Sequence, residues 1–260
     1  VTITPSIPGV NLNEWIRTHR DEVEKLLQQH GGLLFRAFNT HTVDSFENFL
    51  ECLSGPIMKY VHRSSPRHSV QNNIYTSTDH PSDQVINMHN EHSYSHEWPL
   101  KIAFYCHRAS VSGGETPIAD SRKILAGLRE ATVRKFLDRQ VMYIRKTSTG
   151  LGMTWQDIFQ TTDKKAVEES CRRYKMDFSW LENDSLRMTF IRPAVRPHPR
   201  TKEPVWFNHA YFFNPLSLSR SIRDVLMDQN NDELLPFRTY YGDGTEIEEE
   251  VIEEIRDVYE

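Results

Sequence analysis

The sequence has few cysteines and no long hydrophobic segment. Its three cysteines, Cys52, Cys106 and Cys171, stand far apart and form no C-x-x-C pair, which predicts reduced thiols and excludes a disulfide framework or zinc site. The longest apolar runs, such as residues 102–106, are far too short to cross a membrane. The sequence also shows no charged stretch followed by an apolar one at its start, the pattern of a secretory signal. We therefore expect a cytoplasmic protein with no membrane partner.

An excess of basic residues is also lacking. Lys and Arg number 31 against 36 Asp and Glu, a net charge of −5, so no global basic field is present to attract nucleic acid. Aromatic side chains, in contrast, are plentiful, with 13 Phe, 10 Tyr and 5 Trp in 260 residues. A chain of this size and aromatic content can bury a sizeable core, which excludes disorder over most of its length.

The hydrophobic pattern predicts many short strands, with helices clustered before and between them. No repeat and no βαβ alternation is visible, which favours a mainly β fold with helical decoration around an antiparallel sheet. Residues 59–82 are predicted to form a long ordered loop. Helices are predicted over residues 11–30, 43–53, 121–138, 217–227 and 246–260, with helical pieces within 155–174. Strands are predicted over residues 33–38, 84–92, 101–107, 141–145, 186–190, 194–198 and 205–212.

The most informative segment holds an H-x-E triplet, His89-Asn90-Glu91. On a strand, residues two apart project from the same face, with about 6–7 Å between their Cα atoms. An imidazole and a carboxylate at this spacing can converge on one cation, as in the His-carboxylate-His facial triad of non-haem iron oxygenases. For an isolated triplet, a surface His beside a solvated Glu is the commoner explanation. On a regular strand, His92 faces away from Glu91.

A second motif follows the triplet. Residues 112–122 read Ser-Gly-Gly-Glu-Thr-Pro-Ile-Ala-Asp-Ser-Arg, in which Gly113 and Gly114 are predicted to provide positive φ at a turn. With the preceding apolar run, the stretch 89–122 resembles the taurine dioxygenase/clavaminate synthase-like family of Fe(II)- and 2-oxoglutarate-dependent oxygenases. Glu in place of the commoner Asp is most similar to the clavaminate synthase branch.

A third segment extends the resemblance over nearly the whole chain. Residues 196–201, Arg-Pro-His-Pro-Arg-Thr, followed by Val-Trp-Phe-Asn at 205–208, resemble the R-x-H-P-x-T-G element of the family and its next strand. Lys202 stands where the family usually has Gly. His198 lies in this element, and we favour a structural role for it in a hairpin.

The resemblance implies a double-stranded β-helix, a jelly-roll-like core, in a single oxygenase domain over residues 1–260. By position, His89 and Glu91 match the first two iron ligands. Thr116 matches the threonine that helps to hold a carboxylate of 2-oxoglutarate, although an ordinary turn residue is an equal alternative. The implied cofactors are Fe(II) and 2-oxoglutarate.

The chain departs from the family pattern near its end. The family's third ligand, a distal His, and the Arg that grips 2-oxoglutarate follow a pair of strands that would come after residue 260. We therefore expect a chain that lacks these C-terminal strands, and a deviant two-ligand enzyme is the alternative. His209 is expected to be packed or pocket-lining rather than a ligand.

The family also implies the type of reaction. We expect hydroxylation or desaturation of a small polar substrate, an amino acid or a carrier-bound aminoacyl group in secondary metabolism, with O2 and a carrier protein as partners. Candidate substrate contacts are Arg63, which could pair with a carboxylate, Trp206 and Asn208. The alternative for Arg63 is a solvated surface arginine, and Trp206 and Asn208 are pocket candidates on the same terms. Rival functions are a non-catalytic binding or regulatory protein on the same fold, and a cupin-like metalloenzyme that does not use 2-oxoglutarate.

Overall fold

A computed structural model describes residues 1–59, 64–65, 67–77, 85–147, 152–220, 223 and 235–260. By its internal contacts the chain divides into two compact units. The first unit comprises Val1–Tyr60, Arg67–Asp79 and Pro99–Ile118, and the second comprises Val61–Pro66, His80–Trp98 and Ala119–Glu260. Among the described residues, no helix has the length and apolar character needed to cross a membrane. The single domain expected over residues 1–260 stays a prediction.

The first unit is built around two helices. Helix α1 begins after Asn11, whose side chain accepts hydrogen bonds from the backbone of Asn13 and Glu14, and it ends at Gly31, where φ is 73°. Its inward residues Ile16 and Val23 are fully buried. The elements are β1 (Thr2–Ile3), α1 (Leu12–His30), β2 (Leu34–Phe35), α2 (Val43–Ser54), β3 (Ser69–Gln71) and β4 (Ile74–Tyr75). Strands β1 and β2 pair in parallel, and β3 and β4 form an antiparallel pair.

The second unit contains a four-stranded sheet flanked by helices. Its helices are α3 (Ser121–Gly127), α4 (Glu130–Arg139), α5 (Trp155–Phe159), α6 (Lys164–Arg173) and α7 (Glu249–Tyr259). Its strands are β5 (Val141–Lys146), β6 (Asp177–Trp180), β7 (Leu186–Arg192), β8 (Val195–Pro197), β9 (Pro204–Trp206) and β10 (Phe237–Tyr241). The sheet has the order β10-β5-β7-β6, all antiparallel, and β8 pairs with β9 separately.

Side-chain alternation explains the sheet and its core. In β7 every second residue, Leu186, Met188, Phe190 and Arg192, is buried, as the two-residue period of a strand requires. Strand β5 buries Val141, Tyr143 and Arg145 in the same way. Apolar side chains from the flanking helices complete this core, including Phe136, Ile252 and Ile255.

Several strand predictions are wrong. The described part of the predicted strand 84–92 is irregular up to residue 90 and then enters a turn, in which His92 has a φ of 59°. Residues 101–106 are irregular as well, and the predicted strand 205–212 is a strand only to Trp206. A strand exists only where a neighbour supplies ladder hydrogen bonds, and none is found for these residues in the described part of the chain.

Other predictions are confirmed or refined. The predicted helices at 11–30 and 43–53 and the strand at 141–145 are confirmed, whereas the helix predicted over 121–138 is interrupted by extended backbone at Leu128 and Arg129. Strands β6 and β10 were not predicted. The helix predicted over 217–227 falls largely outside the described residues. Overall, the structure shows mixed helices and small, mainly antiparallel sheets.

Candidate metal site

His89 and Glu91 converge in the second unit. The imidazole Nε2 of His89 lies 3.4 Å from a carboxylate oxygen, Oε2, of Glu91, and the two side chains are 26% and 19% exposed. The other carboxylate oxygen lies 3.9 Å from Nε2 of His92, which is buried. The expectation that His92 faces away from Glu91 is therefore wrong, because the turn with positive φ replaces the alternation of a strand.

The backbone orients the ring of His89. Its Nδ1 lies 2.8 Å from the carbonyl oxygen of Asn87, and a carbonyl can only accept, so Nδ1 carries the hydrogen. The lone pair is then on Nε2, the nitrogen that faces Glu91. The ring of Phe212 covers one side of the imidazole, with 4.3 Å between ring centroids. Metal-binding histidines characteristically donate their second nitrogen in this way.

The triplet is anchored at its central residue. The side-chain amide of Asn90 donates to the hydroxyl of Ser121, the first residue of α3, at 3.1 Å. Its amide oxygen accepts from the hydroxyl of Tyr259 in α7 at 3.3 Å. In addition, the amide of Asn87 donates to the carbonyl of Ser217 at 3.0 Å. Side-chain hydrogen bonds to other elements thus hold an irregular segment that has no sheet partner.

These two donors fit two adjacent positions around a divalent cation. Two ligands about 2.1 Å from an ion and at right angles to each other lie about 3 Å apart, close to the 3.4 Å between Nε2 and Oε2. Imidazole and carboxylate are the donors of the iron facial triad. Within the described ranges, however, no group of three or more His, Cys, Asp and Glu side chains is placed to hold a metal ion. His89 and Glu91 therefore fit a divalent cation as two of its ligands.

A buried imidazole lies next to the pair. The ring centroid of His209 is 5.6 Å from that of His89, and its Nδ1 is 2.6 Å from the hydroxyl of Ser93. The backbone N–H of His209 donates to the hydroxyl of Tyr143 at 2.9 Å. Burial lowers the pKa of His209 well below its ordinary value, so this ring is neutral. The packed position expected for His209 is confirmed.

Ser93 and Tyr143 are contacts that sequence reasoning missed. Ser93 belongs to the turn after the triplet, and Tyr143 points inward from β5; both are fully buried. The burial of Tyr143 could be read from the alternation of β5. The partnership with His209 could not, because 116 and 66 residues separate His209 from Ser93 and Tyr143.

Two of the predicted substrate contacts lie in the core. Trp206 is 1% exposed, and its ring packs edge-on against Phe136 at 5.1 Å. Asn208 is buried with both ends of its amide used, donating to the carbonyl of Ala194 at 3.0 Å and accepting from the N–H of Ala210 at 2.9 Å. These positions favour a structural role for both residues over the predicted contact with substrate.

Thr116, Arg63, the two glycines and His198 are the other residues that the sequence singled out. Thr116 belongs to the first unit, where its side chain is exposed, and Arg63 lies outside the described residues. Gly113 and Gly114 have φ of 67° and 86°, which confirms the positive φ predicted for them. His198 accepts a hydrogen bond from the backbone of Thr201 at 3.2 Å in the β8–β9 hairpin, which supports its structural role.

Comparison with known proteins identifies the family. The sequence profile described as "Taurine catabolism dioxygenase TauD, TfdA family" matches residues 2–260. The chain belongs to the TauD, TfdA family. The dapdiamide synthesis protein DdaC of Enterobacter agglomerans is 34% identical over 254 residues, 98% of this chain and 77% of that protein. A clavaminate synthase-like protein of Arabidopsis thaliana is 28% identical over 215 residues, 78% of this chain and 65% of that protein.

The family assignment confirms the resemblance seen in residues 89–122 and 196–208. Members of the TauD, TfdA family are oxygenases of the dioxygenase type, and this assignment gives the His89–Glu91 pair its chemical context. The family assignment supports the prediction that this protein is an oxidoreductase. Its dependence on iron and 2-oxoglutarate is implied by the family.

Proposed function

We propose that this TauD, TfdA family member is an Fe(II)- and 2-oxoglutarate-dependent oxygenase on a jelly-roll-like core. Its substrate is a small polar molecule, an amino acid or a carrier-bound aminoacyl group in secondary metabolism, which it hydroxylates or desaturates in the cytoplasm. The observation that carries the proposal is the convergence of Nε2 of His89 and Oε2 of Glu91, 3.4 Å apart. The similarity to a dapdiamide synthesis protein supports a role in secondary metabolism.

His89 and Glu91 would hold the iron, and Thr116 would donate its hydroxyl to a carboxylate of 2-oxoglutarate. When bound, iron and 2-oxoglutarate supply the activation of O2 and the oxidation of a C–H bond, with release of succinate and CO2. No third ligand is assigned to a residue of this chain.

The chain's own residues prepare the site in three ways. The carbonyl of Asn87 keeps the hydrogen of His89 on Nδ1, so that Nε2 is available as a ligand. The carboxylate of Glu91 contributes the negative charge that offsets a divalent cation. The neighbouring ring of His209 is neutral because it is buried, and therefore adds no repulsion to a cation held by His89.

A titration under anaerobic conditions tests the proposal. Fe(II) and 2-oxoglutarate together should produce a weak visible charge-transfer band, which Glu91→Gln and His89→Asn should abolish. Glu51→Gln and His30→Asn, at exposed positions in the first unit, are the matched controls and should leave the band intact. Succinate release that depends on a primary substrate would then report turnover.

The rival functions predict different results. A binding or regulatory protein, which is consistent with two described ligands instead of three, should give neither the band nor succinate. A metalloenzyme that does not use 2-oxoglutarate should bind iron through Glu91 without a band. Iron binding by Glu91→Gln equal to that of the unmodified protein would contradict the proposed site.

A further inference from the structure

Helix α7 is linked to the H-x-E triplet by a side-chain hydrogen bond. Tyr259, in the last turn of the helix, donates from its hydroxyl to the side-chain oxygen Oδ1 of Asn90 at 3.3 Å. An amide oxygen can only accept, so the phenol is the donor. The amide nitrogen of Asn90 then donates to the hydroxyl of Ser121 at 3.1 Å. The residue between the two candidate ligands is thus held between α7 and α3.

The triplet depends on side-chain bonds of this kind for its position. It belongs to no strand in the described part of the chain, so no sheet ladder fixes its backbone. The carbonyl of Asn90 accepts from the N–H of Ser93 at 3.2 Å, a bond within the turn itself. The side chain of Asn90 provides two bonds to other elements of the unit. Because Asn90 lies between His89 and Glu91 in the chain, a shift of its backbone moves both candidate ligands.

Helix α7 is itself docked at several points. Glu254 accepts from the backbone and the guanidinium of Arg129 at 2.6 and 2.8 Å, and from the hydroxyl of Thr132 at 2.6 Å. Helix α3 approaches so closely that a Cβ atom at Gly127 would lie 3.0 Å from a methyl group of Val258. The inward face of α7 is buried in the core of the second unit. The helix can therefore serve as a rigid support for the triplet.

Tyr259 also faces the segment that covers the pair from another side. Its ring lies 6.2 Å from that of Tyr211, centroid to centroid, with 31° between the ring planes. Tyr211 is buried and precedes Phe212, whose ring covers the imidazole of His89 at 4.3 Å. The phenol of Tyr259 therefore lies next to the triplet and to the segment that shields it.

We propose that Tyr259 is a positioning residue for the metal ion, which acts through the amide of Asn90 on the relative placement of His89 and Glu91. The inference rests on the proposed function, because it requires that this pair binds the iron. Ligands that are held in place before the ion arrives bind it more tightly, since less of the binding free energy is used to order them. Coupling between two events is reciprocal, so the ion should in turn stabilise the docking of α7.

Removal of one hydroxyl group tests this inference. Tyr259→Phe keeps the ring and loses only the bond to Asn90, so its affinity for Fe(II), measured by anaerobic calorimetry, should fall by roughly fivefold. Tyr241→Phe is the matched control, because its hydroxyl also bonds to a residue of α7's boundary, Glu248, at 2.7 Å, but at the other end of the helix. It should lose stability and bind Fe(II) as the unmodified protein does.

A double variant separates positioning from a general loss of stability. Asn90→Ala removes the bonds to both helices and should lower the affinity for Fe(II) by roughly tenfold or more. Adding Tyr259→Phe to Asn90→Ala should then have little further effect on the affinity, because the hydroxyl acts through Asn90. Losses of affinity that simply add would contradict positioning through Asn90.

Hydrogen exchange on the unmodified protein covers the case in which the variants do not fold. Fe(II) should slow the exchange of the backbone amides in the last turn of α7 relative to the metal-free protein. The amides of α6, which packs against β6, are the control and should change little.

The outcomes distinguish this inference from the proposed function. The inference is overturned if a folded Tyr259→Phe variant binds Fe(II) as the unmodified protein does, or if the ion leaves the exchange of the α7 amides unchanged. If Glu91→Gln loses affinity for Fe(II) in the same experiments, the proposed metal site is retained and only the role of Tyr259 is rejected. A protein that binds no Fe(II) through Glu91 would contradict both.

Discussion

Nε2 of His89 lies 3.4 Å from Oε2 of Glu91 although neither residue belongs to a strand. The spacing of the triplet predicted this convergence through a strand that is not formed. What brings the groups together is a turn and a set of side-chain hydrogen bonds. Asn90, between the two candidate ligands, is bonded to the helices α3 and α7. The geometry of the pair therefore depends on elements far away in the chain.

Removal of the carboxylate should weaken metal binding. Glu91→Gln keeps the shape of the side chain but loses its charge, so we expect its affinity for Fe(II) to fall by about 10-fold to 100-fold. Anaerobic calorimetry measures the change, with Glu51→Gln as the control. An unchanged affinity would exclude Glu91 as a ligand.

Loss of the Ser93 hydroxyl should destabilise the second unit. Ser93→Ala leaves Nδ1 of the buried His209 without its partner at 2.6 Å, which should lower the free energy of unfolding by about 1–3 kcal/mol. Urea unfolding measures the loss. Ser179→Ala, at an exposed position in β6, should have no comparable effect, and equal stabilities of the two variants would refute the role of this hydrogen bond.

Lys202 occupies a backbone conformation that suits glycine. Its φ is 64° in the β8–β9 turn, where L-residues other than Gly are strained. Lys202→Gly should therefore raise the free energy of unfolding by roughly 0.5–1 kcal/mol, despite the loss of the exposed bond from Nζ to the carbonyl of Pro199. Thermal and urea unfolding test this; destabilisation would show that the lost bond is worth more than the relieved strain.

Acid should weaken the attachment of α7. Hydrogen bonding from Lys135 lowers the pKa of Glu248 from 4.5 to about 2. A carboxyl with a lower pKa in the folded state stabilises the fold when ionised, so its contribution is present above pH 4.5 and is lost as the pH falls toward 2.

The matched variants are Glu248→Gln and Glu253→Gln, both in or next to α7. Because Glu248 is partly exposed, we expect its replacement to cost less than about 1 kcal/mol at pH 7. The difference from the unmodified protein should shrink between pH 4.5 and pH 3. Glu253→Gln is the control at pH 7, where it should be less destabilising than Glu248→Gln. A pH-independent difference for Glu248→Gln would contradict the assigned cause.

Local signals in the sequence predicted several features correctly. The helix predicted over residues 11–30 is found between Asn11 and Gly31, and Gly113 and Gly114 have the positive φ predicted for them. Such features depend on φ preferences and on hydrogen bonds between near neighbours in the chain. The H-x-E triplet and the segment after residue 112 were enough to indicate the family.

The sequence by itself determined the helix over residues 11–30, the positive φ of Gly113 and Gly114 and the pair of residue types that can hold a metal, because all of these depend on neighbouring residues. Only the tertiary structure decided that the triplet lies in a turn, that His209 meets Ser93 across 116 residues, and that Tyr259 meets Asn90 across 169 residues. These arrangements arise when distant segments pack together, and no local pattern encodes which partners they will meet.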